Sequence, residues 1–159
     1  MRDQFPIRKR ALHKRIVPGV WEATGGLIVK RGSALREARP KSLEFYSSDY
    51  EGTAEERRRK AVEDAKLHAG VYARLAREGF YPPKSLFMIG ESKRGNPEII
   101  AVMPALDILG ERIHYDEEKV EAKQRIALKY ATREHLHGDL GKPSNWGGDN
   151  GQVYYHDLH

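Results

Sequence analysis

The densest run of reactive side chains is His135-Leu136-His137-Gly138-Asp139-Leu140-Gly141-Lys142-Pro143-Ser144-Asn145-Trp146, joined near the end of the chain by Tyr155-His156-Asp157-Leu158-His159. Imidazoles and carboxylates at this density suit a zinc or iron site. His135, His137, Asp139, His156, Asp157 and His159 would then be candidate ligands in a metal-dependent hydrolase. The chain has no cysteine, which excludes disulfides, thiolate metal sites and cysteine nucleophiles. The cationic groups are concentrated elsewhere. Residues 1–40 carry ten Lys or Arg against Asp3, Glu22 and Glu37, a balance of +7 in a chain whose net charge is +5. A basic N-terminal third suits an anionic ligand, whether nucleic acid, a phosphorylated metabolite or a nucleotide.

His137-Gly138-Asp139-Leu140, followed closely by Asn145, resembles the catalytic loop of the protein-kinase-like superfamily. The form is that of aminoglycoside phosphotransferases and RIO-type kinases. Asp157-Leu158-His159, after an apolar strand, resembles the metal-binding Asp-Phe-Gly of that superfamily. The resemblance implies phosphoryl transfer from ATP, which needs a carboxylate to orient the attacking hydroxyl and oxygen ligands to hold magnesium on the phosphates. Asp139 would take the first role, Asn145 and Asp157 would hold Mg2+, and Lys142 would neutralise phosphate. His137 would orient the loop.

The same resemblance extends over about Leu12 to His159. Leu27-Ile28-Val29-Lys30 is similar to the family's third strand, which makes Lys30 the partner of the α- and β-phosphates. Gly19 stands for a degenerate glycine-rich loop, and His68 falls where the family's helix supplies a Glu to that lysine. Met103-Pro104-Ala105-Leu106 would be the hinge that reads adenine, with Met103 and Ala105 against the base. The loop has one more residue between Asp139 and Asn145 than the family's pattern. Two residues follow Asp157, so the implied protein is a minimal core without an activation segment or substrate-platform helices. The implied function is a minimal Ser/Thr protein kinase, with a hydroxyl of a protein or a small molecule as acceptor. A nucleotide-binding pseudokinase without transfer is the alternative on the same fold. His135-x-His137-x-Asp139 also resembles part of the metallo-β-lactamase motif, but Leu140 stands where that motif has a His.

These residues need elements to position them. Val20-Trp21-Glu22-Ala23 and Leu27-Ile28-Val29-Lys30 flank Thr24-Gly25-Gly26, which predicts a hairpin, and Ile16-Val17-Pro18-Gly19 ends an earlier strand. Residues 33–52 read as a connection. Thr53-Ala54-Glu55-Glu56 is a capping box opening a helix that Gly79 stops, with Val62, Ala65, Ala69, Tyr72, Leu75 and Ala76 facing a core. Strands are expected at 85–89 and 98–103 around the turn Lys93-Arg94-Gly95-Asn96-Pro97. A second helix is expected from Asp116 to Glu134, with Ala122, Ile126, Ala127, Tyr130 and Ala131 inward, and a last strand at 152–155. The expected fold is α+β. It has a two-lobed protein-kinase-like form, with a five-stranded antiparallel sheet plus helix (residues 1–105) and a truncated second lobe (residues 106–159).

The apolar fraction of 39%, with two Trp, eight Tyr and four Phe, fits a folded rather than a disordered chain. No apolar run approaches a membrane span or a signal peptide, which predicts a cytoplasmic protein with no membrane partner. No nucleic-acid motif accompanies the basic charge. The small second lobe can hardly bury a core alone, so it should lean on the first, and a homodimer is a further expectation.

Overall fold

The structure, a computed structural model, describes residues 12–17, 20–23, 25–31, 43–108, 117–134, 140–141 and 143–157. The architecture is mixed α+β. Strands β1 (Leu12–Val17), β2 (Val20–Ala23), β3 (Leu27–Arg31), β4 (Leu86–Glu91) and β5 (Pro97–Pro104) form one antiparallel sheet in the order β1-β2-β3-β5-β4. Strands β6 (Asp107–Ile108), β7 (Trp146–Asp149) and β8 (Gln152–Tyr155) form a second antiparallel sheet in chain order. Helix α1 (Ala54–Arg77) lies between β3 and β4 in the chain, and α2 (Glu117–Glu134) between β6 and β7.

Helix α1 begins and ends as its sequence dictates. The Thr53 hydroxyl accepts from the Glu56 amide at 3.2 Å while the Glu56 carboxylate accepts from the Thr53 amide at 2.8 Å. This satisfies two amides that the first turn leaves without helical partners. At the other end Gly79 has φ +80°, its amide donates to the Ala76 carbonyl at 3.0 Å, and that of Phe80 to Leu75 at 2.9 Å. That pair of bonds is a Schellman stop, and the positive φ is why glycine occupies the position.

The β3–β5 register sets Ile28 opposite Met103 and Lys30 opposite Ala101, while β4 sets Phe87 opposite Ala101. Directly opposed residues share a face, so Lys30 lies on the face that packs against α1. The core there joins Ile99, Ala101 and Met103 to Ala65, Tyr72 and Leu75 of α1, and continues into Phe80, Trp146 and Tyr155. Side chains such as Tyr72 and Leu75, both almost fully buried, each contribute about 1.5–3 kcal/mol by leaving water. The opposite face carries a smaller cluster of Ala23, Val29, Ile100 and Val102.

Some sequence expectations shift. On α1, Val62 is only half-buried and Ala61 and Val71 take core positions. On α2, Ala122 is exposed, whereas Val120 and Ala127 are buried; the side chains of Tyr130 and Ala131 lie outside the description. Within the stretch read as a plain connection, Leu43–Phe45 runs beside the start of β5. Ile99 donates to the Leu43 carbonyl at 2.6 Å and Phe45 to that of Pro97 at 2.8 Å. This brings Glu44 into the sheet, where it accepts from the Asn96 side-chain amide at 3.2 Å, close to the buried Glu98–Arg31 pair at 2.7 Å. Strands β6 and β7 add to the single last strand that the sequence predicts there. β7 and β8 form a hairpin through Asn150 (φ 49°) and Gly151 (φ 76°), both in the left-handed region.

Candidate functional site

Lys30 is buried, at 9% exposure. Its place next to the end of β3, opposite Ala101 and Val20, turns its stem into the core face and its ammonium toward the chain leaving β8. There Nζ donates to the His156 carbonyl, with His156 Nδ1 3.5 Å away. Burial lowers its pKa from the ordinary 10.5 to about 8, and the negative charge of Asp157 opposes part of that fall. A desolvated ammonium favours neutrality unless an anion is near. The site therefore holds a cation that gains from any further negative charge brought to it.

The segment that Lys30 meets is tied down residue by residue. The Tyr155 amide donates to the Phe80 carbonyl at 2.9 Å, the His156 amide to the Asn145 carbonyl at 3.1 Å, and the Tyr81 hydroxyl to the Asp157 carbonyl at 3.0 Å. Tyr81 is buried, and its phenol pKa is raised, mainly by that burial, so the hydroxyl stays a donor. Lys30, Asn145, His156 and Asp157, from opposite ends of the sequence, thus share one neighbourhood.

Asn145 ends a short 3-10 turn, Pro143–Asn145, just before β7. The residue ahead of that turn's loop is also anchored. The Leu140 carbonyl accepts from the Gln124 side-chain amide at 2.8 Å and from the Trp146 indole N–H at 2.9 Å. Trp146 is fully buried and also supplies this donor. Helix α2 is fastened to the end of α1 by Lys123, whose ammonium donates to the Gly79 carbonyl at 2.6 Å and sits 5.0 Å from the Tyr154 ring centre.

The other sequence candidates divide. Asp139, Lys142 and Gly19, together with His135, His137 and His159, lie outside the described residues. His68 does not bond to Lys30: its Nδ1 pairs with the Asp64 carbonyl at 2.9 Å and its ring packs edge-on against Phe45 at 5.1 Å. The reason is its phase on α1, at the edge of the apolar stripe beneath Leu43–Phe45. Met103 is buried in the core shared with α1. The Ala105 amide donates to the Gly26 carbonyl at 2.9 Å, tying the β2–β3 turn to the chain just after β5. Sequence reasoning missed Tyr81, Gln124 and the backbone role of His156. The signal for Tyr81 was its place two residues after Gly79, where the chain turns back toward the sheet.

Asn145 and Asp157 offer oxygen donors, which suit a hard cation such as magnesium better than zinc. Among the described residues no group of three or more His, Asp or Glu could hold a metal, and four of the six candidate hydrolase ligands lie outside them. Among the described residues no helix is long and apolar enough to cross a membrane. No family model, curated protein or solved structure matches the chain.

Proposed function

We propose that the chain is an ATP- and magnesium-dependent phosphotransferase on a reduced protein-kinase-like fold, acting on a protein hydroxyl. In this reading the five-stranded sheet and α1 are one lobe, and α2 with the second sheet is a truncated other. The observation that carries it is the meeting of Lys30 with the His156–Asp157 segment beside Asn145. The reading brings a cation for phosphate oxygens together with two oxygen ligands for a metal, at positions suggested by the catalytic-loop resemblance.

The division of labour follows from the groups. Lys30, poorly hydrated and with its pKa lowered to about 8, holds its proton more firmly when phosphate oxygens replace lost solvent. Asn145 and Asp157 would hold magnesium, which supplies neutralisation of the phosphates when bound. Asp139 accepts the proton of the attacking hydroxyl, in a loop whose next carbonyl is gripped by Gln124 and Trp146. Lys142 adds a second cation. A nucleotide-binding role without transfer is favoured by one specific observation: the helix position expected to support Lys30 holds His68, bonded elsewhere.

Calorimetric titration of Mg·ATP into wild type, Asp157→Asn and Asp139→Asn tests the reading. Magnesium-dependent binding is expected, weakened at least about tenfold in Asp157→Asn, the loss of about 1.4 kcal/mol of charge-assisted contact. Asp139→Asn should bind as wild type does but transfer no phosphate to a generic protein acceptor. Folded wild-type protein that binds no Mg·ATP would overturn the proposal, and binding without transfer by wild type would leave only the pseudokinase.

A further inference from the structure

We propose that Tyr81 is a positioning residue that fixes the direction in which Asp157 presents its carboxylate. Its functional consequence rests on the phosphotransferase reading, while its geometry does not. Beyond Tyr155 the β7–β8 ladder ends, and the chain must be held by other means. His156 is held through both backbone groups, by Asn145 and by Lys30. At Asp157 the Tyr81 hydroxyl takes the carbonyl at 3.0 Å. Fixing that carbonyl restricts the backbone rotation about Cα, and with it the direction of the side chain.

The residue supplying the bond is itself rigid. The Tyr81 ring packs edge-on against Phe80 (5.0 Å) and Tyr72 (5.9 Å), and at intermediate tilt against Phe87 (5.6 Å) and Tyr155 (6.1 Å). Only two side-chain rotations connect its hydroxyl to the backbone, and the packing immobilises both. Tyr81 follows α1 by a few residues and shares the Phe80 connection that binds Tyr155. The same short turn therefore sets both the strand and its final carboxylate. Lys30 reaches the same segment from the opposite end of the sequence, so the cation and the anion are held in one geometry before any ligand arrives.

The variant Tyr81→Phe keeps the ring and removes one oxygen. Two readouts on the full chain test it: amide hydrogen exchange by NMR, and titration with ADP in the presence and absence of magnesium. The His156 amide should exchange about tenfold faster than in wild type, beyond any uniform change shared with β4 and β5. The Kd for Mg·ADP should rise about tenfold while that for metal-free ADP changes less than about twofold. In wild type, the Tyr81 hydroxyl proton should give a slowly exchanging resonance, which serves as the test should the variant not fold. Exchange that is unchanged or uniformly faster in the variant overturns the positioning role, as does the lack of a protected hydroxyl proton. Wild type that fails to bind Mg·ADP overturns the phosphotransferase reading, and the exchange result alone then decides the role of Tyr81.

Discussion

Replacing Lys30 by Met should change how folding stability depends on pH, and the structure gives the size of the change. The folded chain holds Lys30 at a pKa of about 8 against an ordinary 10.5, chiefly because the ammonium is buried. At about 1.4 kcal/mol per tenfold change in ionisation constant, this gap costs the folded state about 3 kcal/mol wherever both states are protonated. As pH rises through 8 the folded chain releases the proton that the unfolded chain keeps until about 10.5. Wild-type stability therefore climbs with pH in that window, by about 1 kcal/mol between pH 7 and 9 relative to Lys30→Met. At pH 7 the variant escapes the desolvation cost but withdraws a donor from the His156 carbonyl, a loss of about 1–3 kcal/mol. Its net stability should then lie near or above that of wild type. Urea unfolding of both proteins at pH 7, 8 and 9 measures the difference directly. Two parallel stability curves would refute the reasoning, because they would mean that the ammonium is not desolvated.

Two further perturbations test other parts of the structure. Arg31→Met leaves the fully buried Glu98 without the guanidinium that meets it at 2.7 Å; a loss of about 3–5 kcal/mol is expected by urea denaturation at pH 7. The double variant Arg31→Met with Glu98→Leu should recover most of it, and a single-variant loss under about 1 kcal/mol would contradict the buried pairing. Gly79→Ala combines a φ of +80° with a Cβ 3.1 Å from the Lys123 ammonium, whereas Gly25→Ala has a similar φ and nothing within 4 Å. The first should cost about 1 kcal/mol more than the second in thermal unfolding, and equal costs would argue against the Lys123 latch.

What could be read from the sequence followed local rules. The cap at Thr53, the stop at Gly79 and the Gly25-Gly26 hairpin depend on side chains within a turn of one another, and all three stand as expected. β7 escaped because Trp146-Gly147-Gly148-Asp149 has two glycines where an alternating pattern would show. The Asn150-Gly151 pair is nonetheless a strong hairpin signal, and its backbone angles use it. The placing of Leu43–Phe45 against β5 depends on a buried Glu44, which a hydrophobic pattern treats as surface. At the site, the strand carrying Lys30 was legible, but its partner was a carbonyl, and a backbone group leaves no mark in residue identity. His68 packs against Phe45, and which neighbour covers that edge of α1 depends on a contact distant in sequence that helical spacing does not encode.

The connection after α1 has a mechanical consequence. Phe80 and Tyr81 bond to Tyr155 and Asp157 through a carbonyl and a hydroxyl, while their rings press on Trp146 and Tyr155. Lys123 grips the Gly79 carbonyl from the other side. A short stretch of chain is thus a fulcrum, tied by hydrogen bonds and ring contacts both to the end of α1 and to the Asp157 segment. A displacement imposed on the end of the helix would pass through these contacts to the backbone of Asp157.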